Sequence, residues 1–312
     1  MPAQPLDDTM LKEIVADATA APSMHNAQPW RFRYGRAGRT LTLRAEFDRE
    51  MPEADPSTRG LHVGCGAALL NLRVSASYRG LDALTTLLPV PIDPAVLATV
   101  RLAERRGVPA QPPDAALAVL HPAIRDRHTS RFPFDDRVIP DDVRARLADA
   151  ALAEEADFSF LPPEHLERVL ALIRDAEGFD LSDPARDAEQ RYWTRDTRVE
   201  AAVDGVPDYA FGPTDASGRS INRDFSGTDV VPGRAHALFE DRPQLALLRT
   251  VRDRPVNWLC AGQALEWPEL RRLLRDPALG TGHPQMILRL GYGPEGPCAP
   301  RRPVSEVLTI EP

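Results

Sequence analysis

Arginines and a hydroxyl lie close together in the segment RDRHTSRF, residues 125–132. Arg127, Thr129 and Arg131 alternate along it, so an extended backbone would place their side chains on one face. A guanidinium is always charged, and its fork of N–H donors matches phosphate oxygens. The spacing therefore predicts a binding site for a phosphate group. The alternative is a solvated basic loop, countered by the two aspartates that follow it.

Further arginines occur in the C-terminal segment RLGYGPEGPCAPRRPVSEVL, residues 289–308. Arg289 lies between two leucines of a strand pattern, where a charge requires an anionic partner. Arg301 and Arg302 follow a loop whose prolines can hold them in position. We expect these side chains to support the same anion site. The alternative for the adjacent pair is ordinary surface charge.

The segment APSMHNAQPW, residues 21–30, carries neutral polar side chains. Ser23, Asn26 and Gln28 offer both donors and acceptors, which suit the edge of a heterocycle. The alternative is a helix end whose polar residues satisfy loose backbone groups. An anion clamp together with a neutral polar loop suggests a phosphorylated heterocycle, and FMN is a natural candidate.

The apolar periodicity predicts the elements that must position these motifs. Helices are predicted over 6–20, from a cap at Ser57 or Thr58 to Gly80, over 140–153, over 163–179 and from about 254. Strands are predicted at 28–34, 40–47, 156–161, 244–251 and 284–292, with a helical turn and a strand within 94–104. From about 182 to 240 the pattern weakens, which is typical of a functional excursion from a compact chain.

The stretch VGCGAALL, residues 63–70, is similar to the glycine-rich turn of S-adenosylmethionine methyltransferases. Such a turn needs a strand before its glycines, so that backbone N–H groups meet the ligand. Here the flanks form one continuous helix pattern, and we expect Gly64 and Gly66 to allow close helix packing instead.

Composition excludes several classes of function. The net charge of −8 argues against non-specific nucleic-acid binding. No signal peptide and no apolar run of about 20 residues is visible, which predicts a cytoplasmic protein with no membrane contact. Cys65, Cys260 and Cys298 have neither disulfide-framework nor zinc-site spacing, and the histidines are not paired, so no metal site is expected.

The motifs resemble those of the flavin-dependent nitroreductase family. PSMHNAQPW is similar to its P-S-x-x-N-x-Q-P-W motif, RHTSR to its R-x-[ST]-x-[RK] phosphate signature, and residues 289–308 to its C-terminal segment. Their order and spacing most resemble the Acg subfamily of mycobacteria and other actinobacteria, in which one chain holds two nitroreductase-like halves. The resemblance covers nearly the whole chain.

The resemblance implies an α+β fold of the α/β sandwich type, duplicated in one chain as a pseudo-dimer, with mixed and antiparallel sheets flanked by helices. The first half would span residues 1–112 and the second 113–312, joined near the proline-rich stretch 105–114. The weakly patterned region, about 182–240, resembles the lid that covers the flavin in Acg-type proteins.

In ordinary nitroreductases a homodimer builds two FMN sites, and each subunit gives its clamp to one flavin and its P-S-x-x-N loop to the other. Here the first half has no arginine clamp upstream of Pro22, and AEEADFSF stands where the second loop is expected. The resemblance therefore implies one FMN per chain, at the interface of the halves. A small-molecule substrate or none is the expected partner, and the fused halves are compatible with a monomer or a homodimer.

The resemblance also assigns roles to individual residues. The FMN phosphate would be held by Arg127, Thr129 and Arg131, with Arg301 or Arg302 in support and Arg289 among the cofactor-binding candidates. Pro22, Ser23 and Met24 would lie against the isoalloxazine ring, with Asn26 and Gln28 fixing the loop or the interface of the halves.

The implied activity is hydride transfer from NAD(P)H to flavin N5, followed by reduction of a nitroaromatic or quinone-like acceptor. No protein acid or base is needed for the hydride step, so no catalytic residue is named. A closed lid favours the alternative, a protein that stores or sequesters FMN with little turnover.

The family pattern is also shortened between Glu266 and Trp267, which would remove a core helix of the second half.

Overall fold

The structure is a computed structural model that describes residues 6–104, 117–199, 201–216, 223–227, 231–259 and 282–312. It mixes helices and strands in the way the sequence predicts, so the α+β class is confirmed. Its helices are α1 Asp8–Thr19, α2 Arg59–Tyr78, α3 Ala123–Asp126, α4 Asp141–Ala153, α5 Pro163–Ser182, α6 Pro184–Tyr192, α7 Pro255–Trp258 and α8 Val304–Val307.

The strands build two main sheets and two small parallel pairs. They are β1 Trp30–Gly35, β2 Thr40–Ala45, β3 Leu81–Leu87, β4 Val96–Glu104, β5 Ala156–Phe160, β6 Thr194–Arg195, β7 Val206–Pro207, β8 Thr214–Asp215, β9 His236–Ala237, β10 Gln244–Thr250, β11 His283–Leu290 and β12 Leu308–Glu311. The first sheet has the order β12-β1-β2-β4-β3, and the second has the order β11-β10-β5. The strand β3 at the edge of the first sheet is the main element that the sequence pattern missed.

The first sheet forms because its strands alternate between core and solvent. Along β1 the buried side chains are Trp30, Phe32 and Tyr34, and the residues between them face solvent. β1 pairs antiparallel with β2, as the turn between the two predicted strands requires. The C-terminal strand β12 returns from the far end of the chain and pairs parallel with β1. This return brings the segment before it, which contains Arg301, against the first sheet.

The helices α1 and α2 cover the first sheet. The N-cap of α1 is Asp7, whose carboxylate accepts the Met10 N–H at 2.8 Å. The N-cap residue of α2 is Thr58, one of the two predicted, but its side chain makes no capping hydrogen bond. The N–H groups of Gly60 and Leu61 donate instead to the buried Asp55 carboxylate, at 3.0 and 2.9 Å.

The glycines of VGCGAALL lie inside α2, which excludes the strand-turn geometry of a nucleotide loop. A Cβ on Gly66 would lie 1.9 Å from the carbonyl oxygen of Leu259, just after α7. The expectation that these glycines permit close packing is therefore confirmed.

The second sheet is smaller and has a thinner core. Its fully buried apolar side chains come from β10 and α5, and include Leu245, Leu247, Val169 and Leu170. The predicted strands β5, β10 and β11 and the helices α4 and α5 are confirmed. The short helix α7 begins where the sequence predicts a helix from about 254, but its predicted continuation lies outside the described residues.

The segment 182–240 contains more regular structure than its sequence indicates. It includes the helix α6 and the paired strands β6 with β7 and β8 with β9. The proline-rich boundary near 105–114 and the shortening between Glu266 and Trp267 lie outside the described residues. The division into halves at residue 112 stays a prediction.

Candidate functional site

A cavity of about 400 Å³ opens where four segments of the chain converge. They are the loop after α1, the segment after α3, parts of the segment 182–240, and the proline-rich loop before α8. The predicted site residues that line it are Pro22, Ser23, Met24, Asn26, Arg127, Thr129, Arg131 and Arg301. The remaining three, Gln28, Arg289 and Arg302, lie elsewhere. Two motifs separated by about a hundred residues of sequence thus share one cavity.

The loop after α1 has an unusual backbone. His25, Asn26 and Gln28 lie in the left-handed region, with φ of 45°, 55° and 53°. The Ser23 hydroxyl accepts the Gln28 N–H at 2.8 Å and so holds the loop closed. A Cβ on Gly64 would lie 3.1 Å from the Ser23 Cβ, so glycine in α2 lets the loop pack directly on the helix.

Asn26 and Gln28 tie this loop to distant segments. The Asn26 side-chain amide donates to the Gly205 carbonyl at 3.0 Å, and the Gln28 amide donates to the Val203 carbonyl at 2.9 Å. The Arg302 N–H donates to the Gln28 side-chain oxygen at 2.8 Å. Gln28 is fully buried behind the cavity. Through these contacts both side chains tie the loop after α1 to other segments of the chain. The resemblance implies a role of this kind for both residues.

A buried carboxylate attaches the RDRHTSRF segment to α1. Asp17, on the last turns of α1, accepts hydrogen bonds from Ser75 at 2.8 Å and from the guanidiniums of Arg79 and Arg125 at 3.0 Å. The His121 Nε2 also lies 3.0 Å from this carboxylate. We call these residues the Asp17 cluster. It holds the start of the clamp segment against the first helices, because one carboxylate bridges both.

Two guanidiniums converge at the end of α1. Arg127 Nη2 and Arg301 Nη2 each donate to the Ala20 carbonyl oxygen at 3.1 Å, and Arg301 Nη1 donates to Asn26 Oδ1 at 3.0 Å. A helix C-terminus carries partial negative charge, and α1 has no basic residue in its own last turn. Arg127 and Arg301, with the carbonyl that they share, are called the Ala20 pole below.

Arg131 belongs to a different group. Its Nη1 donates to the Ala210 carbonyl at 2.9 Å, and its guanidinium carbon lies 4.8 Å from the centre of the Phe225 ring. Arg223 Nη1 lies 3.2 Å from His25 Nε2, beside the same ring. Arg131, Arg223, His25 and Phe225 are called the Phe225 pole. The structure thus distributes the predicted Arg-Thr-Arg clamp over two poles of one cavity.

The cavity is strongly cationic, since no Asp or Glu is among the described residues that line it. Burial lowers the pKa of Arg127. Burial lowers the pKa of Arg131 to about 10, and burial followed by the nearby charge of Arg127 lowers the pKa of Arg301 to about 10. Arg127 and Arg301 have no carboxylate partner among the described residues, so this wall is suited to an anionic ligand.

Arg289 and Arg302 are not among the described residues that line the cavity, and each pairs with a carboxylate of the chain. Arg289 donates to both carboxylate oxygens of Glu240, at 2.5 and 2.6 Å, and also to the Phe132 carbonyl at 3.0 Å. Arg302 donates to the Glu46 carboxylate at 2.7 Å. Arg289 does require an anionic partner, as expected, but the chain itself supplies it.

Several residues of the cavity were not among the predicted site residues. They are His25, Arg125, His128, Arg223, Phe225 and Cys298. His25, Arg125, His128 and Cys298 could have been found, because all four lie inside the quoted motifs. Arg223 and Phe225 carried no signal, because they lie in the weakly patterned segment 182–240. Only the three-dimensional course of that segment brings them to the cavity.

Other kinds of site find no support in the described part of the chain. No group of three or more His, Cys, Asp or Glu side chains among these residues could hold a metal ion. None of the described helices combines the length and the apolar character needed to cross a membrane.

Comparisons with known proteins extend the motif resemblance to the whole chain. The chain is similar to "Uncharacterized protein Rv3127" of Mycobacterium tuberculosis, at 29% identity over 96% of this chain and 93% of that protein. It is also similar to "Putative NAD(P)H nitroreductase Rv3131" of the same organism, at 28% identity over 97% and 92% of the two chains. A third relative there, "Putative NAD(P)H nitroreductase acg", is 27% identical over 99% and 98%. No protein-family model matches the chain.

Proposed function

The chain is an Acg-like relative of the NAD(P)H nitroreductases, and we propose that it is an FMN-dependent oxidoreductase. It would take hydride from NAD(P)H and reduce nitroaromatic or quinone-like acceptors. The observation that carries the proposal is the Ala20 pole. Arg127 and Arg301 line the cavity, where Arg301 is half-buried and Arg127 is exposed, and neither has a carboxylate partner among the described residues.

The residues present fit the phosphate of FMN. A phosphate monoester carries about −1.5 to −2 charges near neutral pH, which would offset the two guanidiniums of the Ala20 pole. Arg301 Nε is buried and has no partner among the described residues, so a donor remains for a ligand oxygen. Thr129 lines the same cavity and adds a hydroxyl. We assign Arg127, Thr129 and Arg301 to the phosphate.

The other wall fits a planar ring. Pro22, Ser23 and Met24 line the cavity with a rigid ring, a small hydroxyl and a polarizable thioether. The Phe225 pole adds cationic groups, and a positive group beside a flavin favours its reduced, anionic form. When bound, FMN supplies the hydride and electron transfer chemistry. The protein's part is to bind, orient and shield it.

A second candidate function, storage or sequestration of FMN, is favoured by the contacts that tie the segment 182–240 to the loop after α1, beside the cavity. The Asp204 carboxylate accepts hydrogen bonds from Arg49 and from Arg195, the latter at 2.8 Å. The adjacent Gly205 N–H donates to the Asn26 carbonyl at 3.2 Å. Gly205, Val206 and Pro207 line the cavity beyond these contacts. As a closed lid, this segment would keep nicotinamide and bulky acceptors out.

The absorbance spectrum of the purified protein tests both candidates. Co-purified flavin, or flavin bound on titration with FMN to one equivalent per chain, supports a flavoprotein with a single site. Anaerobic addition of NADPH and of NADH then separates the two functions. Bleaching of the flavin within seconds supports the enzyme, and unchanged absorbance supports storage. A protein that binds no FMN at any concentration would overturn both.

A further inference from the structure

His25 lies at the Phe225 pole in a position that its backbone makes difficult. It has a φ of 45°, in the region that favours glycine and asparagine, and its side chain is 8% exposed. It also lines the cavity. A bulky ring held in the left-handed region at a cavity wall is strained, and strain of this kind is retained where the surrounding structure holds it in place.

The contact with Arg223 determines which ring nitrogen of His25 carries the proton. Arg223 Nη1 lies 3.2 Å from His25 Nε2, and a guanidinium can only donate. His25 Nε2 must therefore accept, which leaves the proton on Nδ1. Burial, and then the charges of Arg223 and Arg131, lower the pKa of His25 well below its ordinary value, so the ring is neutral.

The Nδ1–H group defined in this way has no acceptor. It is buried, and none of the described residues offers it a hydrogen-bond partner. A buried donor without an acceptor is costly, so such groups usually meet a ligand or a water. Because His25 lines the cavity, the acceptor that fits is an atom of the bound molecule.

The surroundings of this donor indicate the chemistry of that molecule. The centres of the Phe225 and His25 rings lie 5.1 Å apart in an edge-to-face arrangement. The Arg131 guanidinium lies over the same Phe225 ring. A neutral N–H donor and a guanidinium beside an aromatic surface suit a planar heterocycle with acceptor atoms on its edge. A second phosphate is a poorer fit, because a neutral histidine adds no charge.

We propose that His25 is a specificity-determining residue that donates a hydrogen bond through Nδ1–H to an acceptor atom on the ring system of the bound flavin. This inference rests on the proposed function. Arg223 lies in the segment 182–240 and fixes the tautomer in which His25 Nδ1 is the donor. That segment therefore contributes to recognition of the ring through its contact with His25. Ring recognition by the Phe225 pole is then separate from phosphate recognition by the Ala20 pole.

Two substitutions separate the donor from the bulk of the ring. In His25→Asn the side-chain amide lies near the position of Nδ1, and asparagine tolerates a positive φ. In His25→Gln the amide lies near the position of Nε2 instead. We expect His25→Asn to bind riboflavin and FMN within about threefold of the wild type, and His25→Gln to bind both about tenfold more weakly. Equal binding by the wild type and His25→Gln would overturn the proposal.

The tautomer itself is measured by ¹⁵N NMR of protein labelled at histidine. His25 is identified among the seven histidines by the signal that disappears in His25→Asn. We expect the Nδ1–H form in the wild type, a shift of this nitrogen on addition of riboflavin, and a mixture of tautomers in Arg223→Gln. A wild-type Nε2–H form, or an Nδ1 signal that riboflavin leaves unmoved, would overturn the proposal even if His25→Gln fails to fold.

The same measurements distinguish this proposal from the proposed function. If neither riboflavin nor FMN binds the wild-type protein, the proposed function fails and this inference fails with it. If both bind and the His25 variants bind them equally well, only this inference fails.

Discussion

The cavity and the packed region behind it differ in the partners that they give to an arginine. Arg301 and Arg302 are neighbours in sequence, yet Arg301 faces the cavity and hydrogen-bonds to Ala20 and Asn26, whereas Arg302 pairs with Glu46. Arg289 pairs with Glu240 in the second sheet in the same way. Carboxylates thus accompany the buried arginines of the packed region, and carbonyl and amide oxygens accompany those of the Ala20 pole.

This difference separates the arginines with a structural partner from those that we propose bind the ligand. A buried ion pair satisfies both charges internally, so nothing is left for a ligand. A guanidinium whose partners are neutral oxygens keeps its charge uncompensated and remains able to bind an anion. Replacement of a carboxylate-paired arginine should therefore lower stability, whereas replacement of an arginine of the Ala20 pole should weaken ligand binding. The contrast holds even for arginines at adjacent positions.

The largest expected effect is on stability, at Arg289. Arg289→Met leaves the buried Glu240 carboxylate without its guanidinium, which should lower the free energy of unfolding by about 3–5 kcal/mol in urea denaturation. Arg289→Met combined with Glu240→Leu should recover part of that loss. FMN affinity should be unchanged wherever the variant is folded. A stable Arg289→Met variant that fails to bind FMN would indicate that Arg289 takes part in FMN binding.

The next effect is on binding, at Arg127. Arg127→Ala removes a charged donor from the Ala20 pole, so FMN affinity should fall about 10- to 100-fold. Riboflavin lacks the phosphate and should bind as to the wild type. The stability of the ligand-free protein should not fall, because the variant loses an uncompensated charge. Full FMN occupancy in the Arg127→Ala variant would show that Arg127 is not needed to bind the phosphate.

A third prediction concerns the Asp17 cluster, a carboxylate-paired region that touches the cavity through Arg125. Burial alone would raise the pKa of Asp17, but hydrogen bonds from Ser75, His121 and Arg125 outweigh it and the pKa ends below its ordinary value. Asp17→Asn should lower the free energy of unfolding by roughly 1–2 kcal/mol at neutral pH.

The pH dependence of stability checks the role of Asp17. A lowered folded-state pKa contributes stability that is present above the unfolded pKa, about 3.9, and lost as the pH falls through the folded value. The wild type should lose this contribution below about pH 4, and Asp17→Asn should lack this part of the decline. Asp142→Asn, at an exposed ion pair on α4, is the control and should behave as the wild type. Identical acid profiles for all three would argue against the cluster.

The smallest expected effect concerns Asp204, which pairs with Arg49 and Arg195 and precedes the cavity-lining Gly205. Asp204→Asn should change the free energy of unfolding by less than about 1 kcal/mol, because the pairs are partly exposed. Release of bound FMN, measured by stopped-flow fluorescence, should become about threefold faster if the segment 182–240 acts as a lid. An unchanged release rate would argue that this ion pair does not hold a lid.

Much of the local structure could be predicted from the sequence, because it depends on neighbouring residues. The alternation of Trp30, Phe32 and Tyr34 predicts β1, and the apolar run through Gly64 and Gly66 predicts a buried helix. The side chain that accepts the first N–H groups of α2 could not be predicted. Asp55 lies in the irregular stretch before the helix, and only its folded position brings its carboxylate to the first turn.

The candidate site was predictable in its motifs and not in its geometry. Ser23 and Asn26 were found from the loop, and Arg127 and Thr129 from the clamp, and all four line one cavity. The separation of Arg127 from Arg131 into two poles was not predictable, because it follows from the segment that supplies Ala210 and Phe225. That segment has no periodicity to indicate where it runs.

The sequence by itself determined most of the helices and most strands of the two main sheets, the neutral loop at 22–28 and the spacing of the arginines, since each is a pattern among residues close along the chain. The tertiary structure alone decided which arginines keep a free charge. Arg301 meets Ala20 and Arg289 meets Glu240 across separations of 281 and 49 residues. Charge compensation depends on distance in space, and only the folded chain sets that distance.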